Sequence, residues 1–203
     1  MKINYSKDKI KFEKELNSLD KFTLDFCSVL EKLKINYVIV SGYVSILFGR
    51  SRSSEDIDLI IEELDLEKFI VLWNELYKDF ECLNTEKIEE AFENYMKTGH
   101  SIRFSRKKKF LPNMEVKFPK TELDLVALQN KTLAIVNNEK LSISPIELQI
   151  SFKLFLRSEK DIEDAKYLYE IFNDKLDIEL IKSFNRKLNI EDLFDKYIEN
   201  GNP

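Results

Sequence analysis

Apolar residues recur along the chain with two periods, and the changes between them predict the order of elements. Phe22, Phe26, Val29, Leu30 and Leu33 repeat at helical spacing. With the charged segment before them, they predict two opening helices. INYVIV is a β-branched run that ends at Ser41-Gly42 and predicts a strand. YVSILFG then predicts a short helix, RSRSSE a turn and DIDLII a second strand. Leu66, Phe69, Ile70, Trp73 and Leu76 share one face of a helix over 65–77, and another helix is expected over 85–97. HSIRFS and NMEVKF alternate as half-buried strands do, and KTLAIV with KLSIS predicts a hairpin across NNE. After that the period stays helical. Ser144 is expected to cap a helix, with Pro145 in its first turn and Glu147 closing a capping box. Helices follow over 145–157, 160–173, 178–187 and 190–199. The pattern predicts an α+β chain: an α/β domain over 1–143 with N-terminal helices, and a helical C-terminal subdomain over 144–203.

Composition narrows the classes of function. The 203 residues carry a formal net charge of −5, so contact with nucleic acid must be local to a basic patch. Cys27 and Cys82 are the only cysteines, and no CxxC or Cys/His cluster occurs, which argues against structural zinc or a disulfide framework. No apolar run approaches the length of a bilayer span, and the charged start MKINYSKDKIKFEKEL lacks a signal peptide's apolar stretch. A cytoplasmic protein is expected.

The chemistry concentrates in VIVSGYVSILFGRSRSSEDIDLII, residues 38–61. Residues i and i+2 of a strand point the same way, so Asp56 and Asp58 present their carboxylates side by side. Like charges this close raise each other's pKa unless a cation joins them. An all-oxygen donor set suits Mg²⁺ or Mn²⁺, and Mg²⁺ typically takes one or two carboxylates plus substrate phosphates. A solvated strand end would carry the same pair. The residues upstream favour the metal: Ser41-Gly42 follows a strand and precedes a helix, where small residues let phosphates approach the backbone, and Arg50 and Arg52 supply cations.

This string resembles the nucleotidyltransferase superfamily signature, an apolar residue and two small residues followed, after a spacer, by D-h-D-h. Here these are Val40, Ser41-Gly42, residues 43–55 and Asp56-Ile57-Asp58-Leu59. Arg52, Ser54, Asp56 and Asp58 fill R-x-[ST]-x-D-h-D, which resembles the branch containing AbiEii-type and MenT-type toxins. The superfamily usually has Gly-Gly or Gly-Ser where this chain has Ser41-Gly42. The resemblance implies the fold of DNA polymerase beta-like nucleotidyltransferases, a mixed sheet flanked by helices. It also implies a third acid on a neighbouring strand, either Glu115 in MEVKF or Asp124 in TELDLVALQN, with Glu115 favoured for its strand context. In the toxin-like branch a lysine on a later helix precedes a D-h-x-D helix start. Lys153 in QISFKLFL and Asp161 with Asp164 fit that pattern. Lys153 would meet a phosphate, or else lay its stem over the core. Asp161 could instead be first-turn charge behind an N-capping Ser158, and Asp164 a partner for Lys153 or a substrate contact.

The resemblance thus implies transfer of a nucleotide from an NTP such as ATP. Asp56, Asp58 and Glu115 would hold Mg²⁺ or Mn²⁺, Glu115 also serving as base or second-metal ligand. Ser41, Gly42, Arg52, Ser54 and Lys153 would hold phosphates. The acceptor would be an RNA, such as a tRNA end, or a protein, and the setting a toxin–antitoxin or defence system with an antitoxin partner. SIRFSRKKKF gathers Arg103, Arg106, Lys107, Lys108 and Lys109 with Phe104 and Phe110. It reads as a solvated hairpin tip, or as a surface where bases stack and cations meet RNA phosphates. The single histidine, His100, reads as structural. A catalytically silent module of the same fold, binding protein or RNA, is the alternative.

Overall fold

The computed structural model describes residues 3–6 and 8–199. The chain opens with strands β1 (Asn4–Ser6) and β2 (Lys9–Phe12), then helix α1 (Ser18–Leu33). Strand β3 (Tyr37–Val40), helix α2 (Gly42–Leu47), strand β4 (Asp56–Ile61), helix α3 (Leu66–Leu76) and strand β5 (Phe80–Cys82) follow. A helical stretch starts as α4 (Ile88–Glu90), widens to a π-helical turn over Ala91–Tyr95 and tightens to a 3₁₀ turn over Met96–Thr98. Next come β6 (Ile102–Arg106), β7 (Asn113–Lys117), helix α5 (Glu122–Gln129), β8 (Thr132–Val136) and β9 (Glu139–Ile143). The remainder is helical: α6 (Ile146–Leu156), α7 (Glu159–Phe172), α8 (Ile178–Leu188) and α9 (Glu191–Phe194), which continues as a π turn over Asp195–Glu199.

Among the described residues, nine strands form one mixed sheet in the order β1-β2-β8-β9-β3-β4-β7-β6-β5. The pairs β3/β4 and β6/β7 are antiparallel, whereas β4 runs parallel to β7. The expected hairpin across NNE is β8/β9, with Asn137 and Asn138 at positive φ in its turn. Alternation along the central strands sorts their side chains to two layers. Tyr37, Ile39, Ile57, Leu59 and Ile61 pack into the main core with Phe22, Phe26 and Leu30 of α1 and Phe69, Trp73 and Leu76 of α3. Val38 and Ile60 face the other way, against Ala127 and Leu128 of α5, Leu148 of α6 and Phe184 of α8. Asp56 and Asp58 have the parity of Ile60 and share this second face.

Three expectations need correcting. Where the sequence suggested a first helix, the described residues form a β-hairpin. Ile10 and Phe12 are buried and alternate with exposed Lys9 and Lys11, a period of two, and β2 extends the sheet parallel to β8. Strand β5 was not expected; Phe80 and Cys82 are buried, and the strand owes its place to antiparallel pairing with β6. Ser144 does not cap α6. Its backbone N–H is still paired in the sheet, to the Ile39 carbonyl at 2.9 Å, and Pro145 is the N-cap without a side-chain cap bond. Glu147 reaches elsewhere and accepts from the Asp177 N–H at 3.1 Å.

Candidate active site

The parallel register of β4 and β7 sets the acids beside one another. Asp58 is the cross-strand partner of Glu115 on β7, as it is of Val40 on β3, and Asp56 is the partner of Asn113. Side chains paired across neighbouring strands project from the same face, so Glu115 joins Asp56 and Asp58. Asp124 is placed differently. It is the N3 residue of α5 in a capping box with Thr121, and it also meets Lys117 at 3.0 Å. Those bonds account for both of its oxygens.

The Asp58 carboxyl is pushed up from its ordinary range by burial first, and then by the charges of Glu115 and Asp56; a hydrogen bond from the Ser41 side chain and the charge of Lys117 oppose this. Ser54 donates to the Asp56 carbonyl at 3.0 Å and to its carboxylate at 3.2 Å, which steadies the end of the strand. Glu115 is drawn towards β6, where Arg103 is its register partner and pairs with it at 2.5 Å. Among the described residues no three Asp, Glu, His or Cys side chains converge closely enough to cage a metal ion. The donor set still suits one: Asp56 and Asp58 supply two carboxylates on one face, the number that Mg²⁺ typically takes before phosphate and water complete its shell.

Ser41 sits at φ 65 and ψ −143, a conformation that glycine alone adopts without strain. This explains why a glycine usually fills the position in the resembling signature, and what the serine does here: its side chain reaches Asp58. At Gly42 the reason for glycine is space. A Cβ there would lie 2.9 Å from Nη2 of Arg52, whose guanidinium rests on this backbone. Arg52 Nε is buried and has no acceptor among the described residues.

Arg52 is held there from the C-terminal helices. Asp164 on α7, fully buried, pairs with Arg52, with Arg50 and with Lys153 of α6, the last at 3.0 Å. Lys153 is 2% exposed and also bonds Asp161 at 2.5 Å. The Asp161 carboxylate in turn accepts from Ser158 Oγ at 2.5 Å, and Ser158, the N-cap of α7, accepts from the Asp161 N–H. Burial would raise the Asp161 carboxyl, but hydrogen bonds from Lys153 and Ser158 outweigh it and hold the group below the ordinary value. Asp164 is therefore the anchor of three cations, and Lys153 meets carboxylates in place of the open core surface. The sequence pointed to the types of these residues; the convergence of the 50–52 turn on α7, across more than a hundred residues, had no local signal.

The basic segment divides. Arg103 is engaged with Glu115, while Arg106 pairs with Asp25 and stacks on Phe80, 4.7 Å from the ring centroid. Lys107, Lys108 and Lys109 are exposed, beside Phe110 at 78% exposure. This tip adjoins the acids, because the Asn113 N–H bonds the carbonyl of Glu55 at 2.9 Å. His100 is exposed and bonded to Thr98 at 2.8 Å. No helix is long and apolar enough to cross a membrane among the described residues.

No family model and no curated protein matches the chain. Solved structures do. An antigenic nucleotidyltransferase-like protein from Paracoccidioides brasiliensis aligns with a TM-score of 0.51 and 18% identity, over 89% of this chain and 96% of that one. The antibiotic-resistance factor ANT(2'')-Ia aligns with a TM-score of 0.55 and 10% identity, over 85% and 93%. ANT(2")-Ia in complex with adenylyl-2"-tobramycin gives 0.51 and 12%, over 81% and 92%. At these identities the likeness is one of fold: a mixed sheet with flanking helices, as in nucleotidyltransferase-like proteins.

Proposed function

We propose that the protein is a metal-dependent nucleotidyltransferase that moves a nucleotide from an NTP to a hydroxyl of an RNA or protein acceptor. The observation that carries this reading is the register of β4 and β7, which sets Glu115 beside Asp58 and Asp56 on one sheet face. A bound Mg²⁺ or Mn²⁺ would neutralise phosphate charge and polarise the α-phosphate. Asp56 and Asp58 would hold it. Arg52, whose guanidinium lies over Gly42, supplies a positive charge for the phosphates. Lys153 and Asp164 keep Arg52 there. Glu115 takes the proton as the acceptor hydroxyl attacks the α-phosphorus; the new P–O bond forms as the bond to the β-phosphate bridge breaks, releasing pyrophosphate.

Arg52, Ser54, Asp56 and Asp58 together with Lys153, Asp161 and Asp164 support the AbiEii/MenT-like branch, and with it a toxin–antitoxin or defence setting. The three exposed lysines and Phe110 at the acid end of the sheet suit the backbone and bases of an RNA acceptor. A thermal-shift titration with the four NTPs, with and without Mg²⁺, tests the reading. A rise in midpoint that needs both metal and NTP, and vanishes in Asp56→Asn/Asp58→Asn, is expected. The Glu115–Arg103 ion pair favours a second reading, a silent module of the same fold. In that case Mg²⁺ and NTP leave the midpoint unchanged.

A further inference from the structure

A pocket of about 60 Å³ opens on the same face of the sheet as the acids. Its floor is Val40, Ile60 and Lys117. Val40 is the cross-strand partner of Asp58, and Ile60 and Lys117 are themselves partners, each two residues beyond Asp58 and Glu115. Two residues of strand span roughly 6–7 Å, about the width of one sugar between the acids and the pocket. Ala127 of α5 forms part of the wall, and Ser144 and Gln149 line the side towards α6.

The lining is mostly apolar but holds two polar groups without partners. Ser144 is 1% exposed and Gln149 is 2% exposed, and neither Ser144 Oγ nor Gln149 Oε1 has a hydrogen-bond partner among the described residues. Buried oxygens left unbonded are rare and costly, and an apolar pocket with a few unsatisfied polar groups is the usual form of a ligand site. Ser144 is available because its backbone stays in the sheet, which frees the side chain from capping α6.

We infer that this pocket seats the base of the nucleoside triphosphate, with Gln149 and Ser144 reading an exocyclic amino group and the ring nitrogen beside it. The inference rests on the transferase reading above and adds the feature of the substrate that the site selects. The volume admits one edge of a planar ring. An exocyclic amino group projects furthest from that edge and donates to Gln149 Oε1, while the Ser144 hydroxyl donates to the neighbouring ring nitrogen. Adenine, cytosine and guanine each present such a pair. Uracil and hypoxanthine carry no amino group and leave Gln149 Oε1 unpaired.

The test is calorimetric binding of ATP, CTP, GTP, UTP, ITP and tripolyphosphate to the full chain in Mg²⁺. UTP is expected to bind at least about tenfold more weakly than the best of ATP, CTP and GTP, the cost of one unmade buried hydrogen bond. Gln149→Leu closes that gap and leaves tripolyphosphate unchanged. Ala127→Leu, on a different element, fills the pocket; it weakens the preferred NTP about tenfold and spares tripolyphosphate. Equal affinity for UTP overturns the inference. So does an unchanged preference in both variants while tripolyphosphate still binds in an Asp56-dependent way, an outcome that leaves the transferase reading standing. Failure of every NTP and of tripolyphosphate to bind the native protein overturns both.

Discussion

Two groups of charge lie within one site and are built in opposite ways. In the latch between the 50–52 turn and α7, Arg50, Arg52 and Lys153 meet Asp164, Asp161 and Glu163, and cations and carboxylates match one for one. On the face of β4 and β7, three carboxylates stand in a row, Glu115 shared with Arg103, and the Asp58 carboxyl is raised by burial and by its acidic neighbours. Buried charges that neutralise one another hold parts of a protein together, and removing one partner strands the rest. A row of like charges does the reverse: it costs stability in the free protein, and a cation brought with the substrate recovers that cost. The latch holds the fold together and keeps Arg52 in place, and the row is the working surface.

Substitutions at the two groups should separate accordingly. The largest expected effect is on catalysis: Asp56→Asn/Asp58→Asn lowers nucleotidyl transfer by at least about a thousandfold, since the metal contribution amounts to several kcal/mol. Denaturant unfolding of the same variant should show stability unchanged or raised. Transfer of labelled nucleotide that survives the double substitution breaks the comparison. Asp164→Ala should do the opposite to the fold, costing about 3–5 kcal/mol in denaturant because buried Lys153 and the half-buried Arg50 and Arg52 lose their shared partner. A loss of activity without loss of stability there would place Asp164 on the working surface instead.

Between these lies Ser41→Gly, which relieves a backbone conformation worth about 1 kcal/mol or more, partly offset by glycine's greater chain entropy. Unfolding midpoints should rise slightly, and the Asp58 carboxyl loses its hydrogen bond from Ser41. The smallest effect concerns acid. With its folded pKa held below the ordinary carboxylate value, Asp161 adds stability above that value and loses it as pH falls through the folded pKa. Asp161→Asn should therefore flatten the acid limb of the stability curve below about pH 4, followed by circular dichroism. An unchanged limb shows that other carboxylates govern acid unfolding.

How much was legible in the chain varies by the range of the forces involved. Most helices and strands follow from periodicity, whereas the capping box of Thr121 and Asp124 at the start of α5 is seen only in the structure. The opening hairpin was misread because three- and four-residue strands offer too short a window to tell a period of two from a run of charged helix. The parity of Asp56 and Asp58 was readable because it depends on a single strand. That Glu115 stands in register with Asp58 was an expectation from context, since register depends on how two distant strands pair.

The sequence by itself determined the alternation of elements and the strand carrying two aspartates on one face, both set by local geometry and side-chain type. Only the tertiary structure decided which charges are spent on one another. Arg103 and Arg106 lie in the same basic run as three exposed lysines, yet both are paired. Ser144 reads as a cap and is held in the sheet instead. Pairing of charge and satisfaction of a buried hydroxyl depend on distances across the fold, and spacing along the chain carries no record of them.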